Sequence, residues 1–145
     1  MSTSDAERLM LRADDIKRSA GDAAATARLS EVFAGPALQR LQAQAQAMVR
    51  RSVRQEERNV TRTLIFWDPR AGEAVLQVIA ESRLVTSDRP NASWAAIVRQ
   101  WWARLEYASG SWWVVDQGDL PPDRWRVASP AEALTGWVLS GPHGS

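Results

Sequence analysis

Two tryptophan pairs, Trp101-Trp102 and Trp112-Trp113, flank the small residues Ala108-Ser109-Gly110. The run from Ile97 to Asp116 reads as a β-hairpin around that turn. Neighbouring side chains of a strand point to opposite faces. Each pair therefore sends one indole to each face of a sheet, and both faces need cover from core, ligand or partner. The chemistry such residues offer is recognition, since Trp is enriched where binding surfaces concentrate their energy. Arg99 and Arg104 on the same hairpin supply cations that would orient what binds. All eight tryptophans, Trp67, Trp94, Trp101, Trp102, Trp112, Trp113, Trp125 and Trp137, lie from residue 67 onward. Some fill the space between helices and a bent sheet. The rest are expected on an outer partner or homodimer surface.

Bond-making chemistry has fewer candidates. There is no Cys, which removes thiolate nucleophiles, disulfides and thiolate zinc sites. The one histidine, His143, stands in the terminal Gly-Pro-His-Gly-Ser. A tail histidine is a poor general base, so Ser-His-Asp triads and histidine-rich metal sites are nearly excluded. No metal or cofactor is implied. Carboxylates on the predicted strands, Glu81 and Asp116 among them, are the groups to weigh for acid–base work. A carboxylate whose pKa burial had raised could abstract a proton next to a carbonyl. The plainer reading pairs Glu81 or Glu106 with an arginine on the next strand and lets Asp116 end its strand.

Arg50, Arg54, Arg58 and Arg62 are spaced by four, with Arg51 alongside. On a continuous helix the first three would form one ridge. A phosphate contact is the sharp reading. A solvated helix end with Glu56 and Glu57 as partners is the reading adopted. Without interleaved aromatics the series is weak evidence for nucleic acid. Formal net charge is +1, so no global field argues for nucleic acid or a membrane surface either. Lys17 is the only lysine, every other Lys/Arg position being Arg.

A chain of 145 residues suits one domain with a real core. No apolar run is long enough to span a bilayer, and the N-terminus lacks the basic-then-apolar order of a signal peptide. Any membrane attachment is expected through an anchor outside this sequence. Met1 is the native start or the start of a fragment. Residues 1–127 are expected to form the domain. Residues 128–145 are expected as a C-terminal extension, partly disordered or vector-derived.

Three helices are predicted first. Ala6, Leu9, Met10, Ala13, Ile16, Lys17 and Ala20 share a helical stripe. Gly21 and Asp22 read as C′ and N-cap, opening a second helix that carries Ala25, Leu29, Val32 and Phe33 and stops at Gly35. Pro36 suits the first turn of a third helix, with Leu38, Leu41, Ala45, Met48 and Val49 inward, running to about Glu57. Strands follow: Asn59 to Trp67, Glu73 to Thr86, Ser93 to Tyr107, and Ser111 to Gln117, an antiparallel meander with bulges. Pro121-Pro122-Asp-Arg-Trp125 reads as extended, with Trp125 a candidate plug. Helices followed by an antiparallel sheet imply an α+β fold with the helices on one sheet face.

This order of elements, closing on Trp-Trp-Val-Val-Asp after a glycine turn, resembles the nuclear-transport-factor-2-like superfamily. The resemblance covers about residues 5 to 120. It implies three helices packed into the concave side of a curved sheet, a cone. A closer likeness is to the C-terminal domain of plastid-division and cyanobacterial cell-division proteins. It rests on Leu29 to Gly35 leading into Pro36-Ala-Leu38, on Glu81-Ser82 in an Ala/Val-rich strand, and on Gly110-Ser-Trp-Trp-Val114. That likeness implies an extracytoplasmic domain that binds a partner protein's tail. Superfamily enzymes hold an acid, base or Tyr in the cone, which implies Glu81, Tyr107 or Asp116 here, but none of their residue spacings is recognisable.

The expected function is a non-catalytic protein- or peptide-binding and dimerisation module of a membrane-anchored or multidomain bacterial protein, linked to cell division or envelope organisation. Its binding residues would be Trp101, Trp102, Trp112, Trp113, Trp125, Arg99 and Arg104. The competing expectation is a small-molecule-binding or lyase/isomerase-type domain using a pocket carboxylate at Glu81 or Asp116.

Overall fold

The first helix starts on a capping box. Ser2 Oγ accepts from the Asp5 backbone N–H at 3.1 Å, and the Ser2 N–H donates to the Asp5 carboxylate at 3.1 Å. In the computed structural model, which describes residues 1–19 and 26–120, helix α1 then runs Thr3–Ser19. Ala6, Met10, Ala13 and Ile16 of its predicted stripe are buried.

The sequence predicts three helices, but among the described residues there are two α-helices. Within the described part of the predicted second helix, Thr26 and Ala27 are helical and a 3-10 helix spans Arg28–Glu31; Gly21, Asp22 and Ala25 lie outside the described residues. A sheet contact overrides the helical periodicity. Val32 leaves helical geometry at φ −131°. The Ala34 N–H then donates to Val114 O at 3.0 Å, and the Val114 N–H donates to Val32 O at 2.9 Å. Phe33 thereby forms a parallel bridge with Val114, and both are buried.

Helix α2 spans Gly35–Arg50, with Pro36 in its first turn as predicted and Ala37, Leu41 and Ala45 buried. It stops well short of Glu57. Ser52 takes the left-handed conformation at φ 54°. The Val53 N–H reaches back to Met48 O at 3.1 Å, and the Ser52 N–H to Val49 O at 3.1 Å. This is a Schellman ending with serine where glycine is usual. The arginine ridge therefore does not exist. Arg50 ends the helix, while Arg54, Arg58 and Arg62 belong to a strand.

Four strands follow: β1 Arg54–Asp68, β2 Glu73–Val85, β3 Ala95–Ala108 and β4 Ser111–Leu120. They form one antiparallel meander in the order β1-β2-β3-β4. Strand β1 begins earlier than predicted, because Glu56 faces Arg83 and Arg58 faces Glu81 across the β1–β2 ladder. The β1–β2 turn depends on Gly72, at φ 68°. A Cβ there would lie 2.5 Å from Leu105 O, and Gly72 O itself accepts from the Leu105 N–H at 2.6 Å. Ser109 and Gly110 both have positive φ, 52° and 81°, as a two-residue hairpin turn requires. Register shifts interrupt β1–β2 between Arg58 and Thr61 and between Leu64 and Phe66, and β3–β4 between Arg104 and Leu105.

Alternation and register sort the two faces. Ala74, Leu76, Val78 and Ala80 of β2 join Trp101, Ala103 and Leu105 of β3 and the helix residues Met10, Ala13 and Leu41 in the main core. The helices therefore lie on one sheet face, as expected. On the other face Ile65, Phe66 and Val75 form a second cluster with Trp102 and Leu120. The Trp101-Trp102 pair splits across the sheet as the alternation rule demands. The domain boundary expected after residue 127 lies outside the described residues.

Candidate functional site

Three inner-face rows position the site. Arg62, Val78 and Arg99 are cross-strand neighbours. The next row is Leu64, Leu76, Trp101 and Asp119, and the row beyond is Trp67, Ala74, Ala103 and Gln117. Helix α1 crosses these rows and presents Asp14 and Lys17 to them, three residues apart and so on one helical face.

Asp14 and Glu57 have side chains only 1% exposed, and Arg99 holds both. Arg99 Nη1 and Nη2 donate to the two Asp14 oxygens at 2.9 and 3.3 Å. Arg99 Nε and Nη2 donate to the two Glu57 oxygens at 2.8 and 2.9 Å. The buried Trp101 adds its indole N–H to Asp14 Oδ1 at 3.1 Å. Arg62 Nη1 lies 3.5 Å from Asp14 and donates to Asp15 and to Leu11 O. Arg18 joins Asp15 at 3.0 Å and stands 3.8 Å from Glu57. Burial alone would lower the Arg99 pKa. The two carboxylates it holds outweigh that and raise it, so this guanidinium is a permanent cation. The result is a clamp tying α1 to β1 and β3 by charge-assisted, two-point bonds.

Beside the clamp is a cavity of about 430 Å³. Leu29, Leu41, Ala45 and Met48 form an apolar wall, Val98 and Leu120 lie at the sheet end, and Asp14, Lys17, Glu57, Arg99 and Asp119 line the charged side. That size is ordinary for a ligand site. Lys17 stands 4.3 Å from the Trp101 ring centroid and donates to Gln117 Oε1 at 2.9 Å. Burial is the main cause that lowers its pKa, and Arg99 adds to it, against the opposing pull of Asp119 and Asp14. The two buried carboxylates of this cavity accept from Arg99, and Asp14 also accepts from Trp101.

The predicted residues scatter. Arg99 is in the clamp and Trp101 is fully buried core. Trp102 belongs to the outer-face cluster. Trp112 packs against the main core, edge-on to Tyr107 with centroids 5.5 Å apart. The Trp113 indole donates to Ala108 O at 3.0 Å. Arg104 lies 3.6 Å from Glu106 on the surface. Trp125 lies outside the described residues. Glu81, Tyr107 and Asp116 are not brought together, and none lines the cavity. Glu81 accepts from Asn59 and Arg58, which hold its pKa below the usual carboxylate range. Tyr107 is 62% exposed at the hairpin tip. Asp116 pairs with Arg40 at 3.2 Å. Sequence reasoning missed Asp14, Lys17 and Glu57 as site residues. Lys17 carried a signal, being a charged residue on an apolar helical stripe; the two acids carried none.

No family model matches the sequence, and no curated protein does. Among solved structures, the fold is similar to the intermembrane-space region of the chloroplast protein ARC6, with a TM-score of 0.60 at 16% identity. The match covers 83% of this chain and 97% of that one. At that identity the likeness is one of fold.

Proposed function

We propose that this domain is a non-catalytic protein- or peptide-binding module that receives an extended partner segment in the α2-side cavity and self-associates through its outer sheet face. The observation that carries the reading is the pairing inside the cavity. Asp14, Arg99 and Glu57 satisfy one another, leaving an apolar wall of Leu41, Ala45 and Met48 beside a fixed charge pattern. Such a surface can bury a side chain and orient its neighbours without offering a free base. The outer face supports the second element. Ile79 and Val98 are cross-strand partners there, both 47% exposed, beside the opposite charges of Arg58–Glu81 and Arg83–Glu56. A neutral face with an apolar centre suits an isologous contact.

The chain is read as a nuclear-transport-factor-2-like domain of a membrane-anchored or multidomain bacterial protein, exposed outside the cytoplasm and linked to cell division or envelope organisation. Similarity in fold to an intermembrane-space region of a chloroplast protein supports this. No described helix is long and apolar enough to cross a membrane. The test is selection of peptides from a displayed random library, followed by titration against Met48→Arg, which is expected to weaken selected peptides at least tenfold while circular dichroism is unchanged. Sedimentation velocity on Ile79→Arg tests the outer face, where the variant is expected to be monomeric and the parent dimeric.

A further inference from the structure

The one lysine of this chain is placed where an arginine would not serve the same end. Lys17 lies on the core side of α1 with its side chain 17% exposed, while its neighbour Asp119 is 87% exposed. The amine is thus inside the cavity and the carboxylate, 3.5 Å away, is at its rim. The Trp101 ring lies 4.3 Å from Nζ, and Gln117 Oε1 accepts from it at 2.9 Å. The apolar wall of Leu41, Ala45 and Met48 lines the same cavity.

We propose that Lys17 is a reactive amine that captures a small aldehyde with an apolar body as an imine inside this cavity. This goes beyond the partner-binding reading and does not depend on it. The Lys17 nitrogen lone pair forms a C–N bond to the carbonyl carbon, and the carbonyl oxygen takes up a proton, giving a carbinolamine. The nitrogen then gives up its protons, the C–O bond breaks, and the oxygen leaves as water. One amine and one aldehyde yield one imine and one water, with no change in oxidation state. Asp119, open to solvent, relays the protons. Gln117 Oε1 holds the amine whether it is neutral or charged, because it accepts from either form.

The attacking amine must be neutral, and a desolvated lysine next to another cation is the usual means of making it so. Burial here lowers the pKa most, and Arg99 of β3 pushes the same way. Asp119 of β4 and Asp14 of α1 oppose, as does the Trp101 face, and the balance is downward. The remaining charges lining the cavity, Glu57 and Arg18, are engaged with Arg99 and Asp15.

The full chain is incubated at neutral pH with hexanal and cyanoborohydride, which reduces the imine to a stable secondary amine, and adducts are located by peptide mass spectrometry. An unstructured single-lysine peptide serves as reference. Labelling at Lys17 is expected to be faster than on the peptide, because burial lowers its pKa and leaves more of the amine neutral. Its rate should rise with pH to a midpoint below 10.5. Met48→Trp, which fills the apolar wall and leaves the amine in place, should bring Lys17 back to the peptide's rate. Labelling at the Met1 amine alone, or at Lys17 no faster than on the peptide, overturns the proposal. Fast labelling that ignores Met48→Trp also overturns it, since the amine would then act outside the cavity.

Discussion

Arg99 of β3 and Asp14 of α1, 85 positions apart in the chain, meet through two hydrogen bonds at 2.9 and 3.3 Å. The same guanidinium grips Glu57 of β1, so one side chain joins three elements around the cavity.

Removing that side chain leaves two carboxylates buried without their cation. Arg99→Met is expected to destabilise the domain by about 3–5 kcal/mol, the range for breaking one partner out of a buried pair. Arg99→Lys should recover little, because an ammonium cannot make the four bonds a planar fork makes. Adding Asp14→Asn and Glu57→Gln to Arg99→Met should restore part of the loss. Urea unfolding of the four proteins measures this.

Trp101 and Trp113 are predicted to differ sharply although both belong to Trp pairs. Trp101→Ala empties a fully buried site and strips a donor from Asp14, for an expected loss of about 3–5 kcal/mol. Trp113 is half-exposed with one bond to Ala108 O, and Trp113→Ala is expected to cost about 1 kcal/mol. Thermal unfolding followed by circular dichroism separates them.

Gly72→Ala should be more harmful than Gly110→Ala. Both positions have positive φ, but the new methyl at Gly72 would sit 2.5 Å from Leu105 O, while nothing lies within 4 Å at Gly110. An expected cost of about 1–2 kcal/mol for the left-handed backbone applies to both. The clash adds to it at Gly72 alone and should loosen the Leu105–Gly72 hydrogen bond, which amide exchange at Leu105 reports.

The periodicity of two makes the Trp101-Trp102 split legible in the sequence, because a strand has no other way to place adjacent side chains. Turn glycines and Pro36 are legible for similar local reasons. The end of α2 is not, since Ser52 adopts a conformation that glycine normally announces. The 3-10 turn at Arg28–Glu31 is hidden because Val32 and Phe33 fit a helical stripe equally well, and only the distant Val114 decides between the two. The clamp is hidden too. Asp14 precedes Asp15, and Glu57 follows Glu56, so each reads as part of a solvated acidic pair; the β1–β2 register and the position of α1 select which member turns inward.

Lys17 should leave a mark on the pH dependence of stability. Burial lowers its folded pKa below the unfolded 10.5, so between those two values the unfolded chain binds more protons. Stability is then penalised below the folded pKa and rises with pH through that window. In Lys17→Met this rise should be absent, and the difference between the two proteins should shift in favour of the parent as pH approaches 10.5. Chemical denaturation in a series of alkaline buffers gives the two slopes.

The central claim is that the cavity between α2 and the sheet end receives a partner segment. The most direct measurement is an amide and methyl NMR titration of the domain with the tightest peptide from a displayed library. The account predicts saturable shifts at Leu29, Leu41, Ala45, Met48 and Leu120, abolished by Met48→Arg. Saturable shifts that avoid these residues, or a library that yields no binder at all, would contradict it.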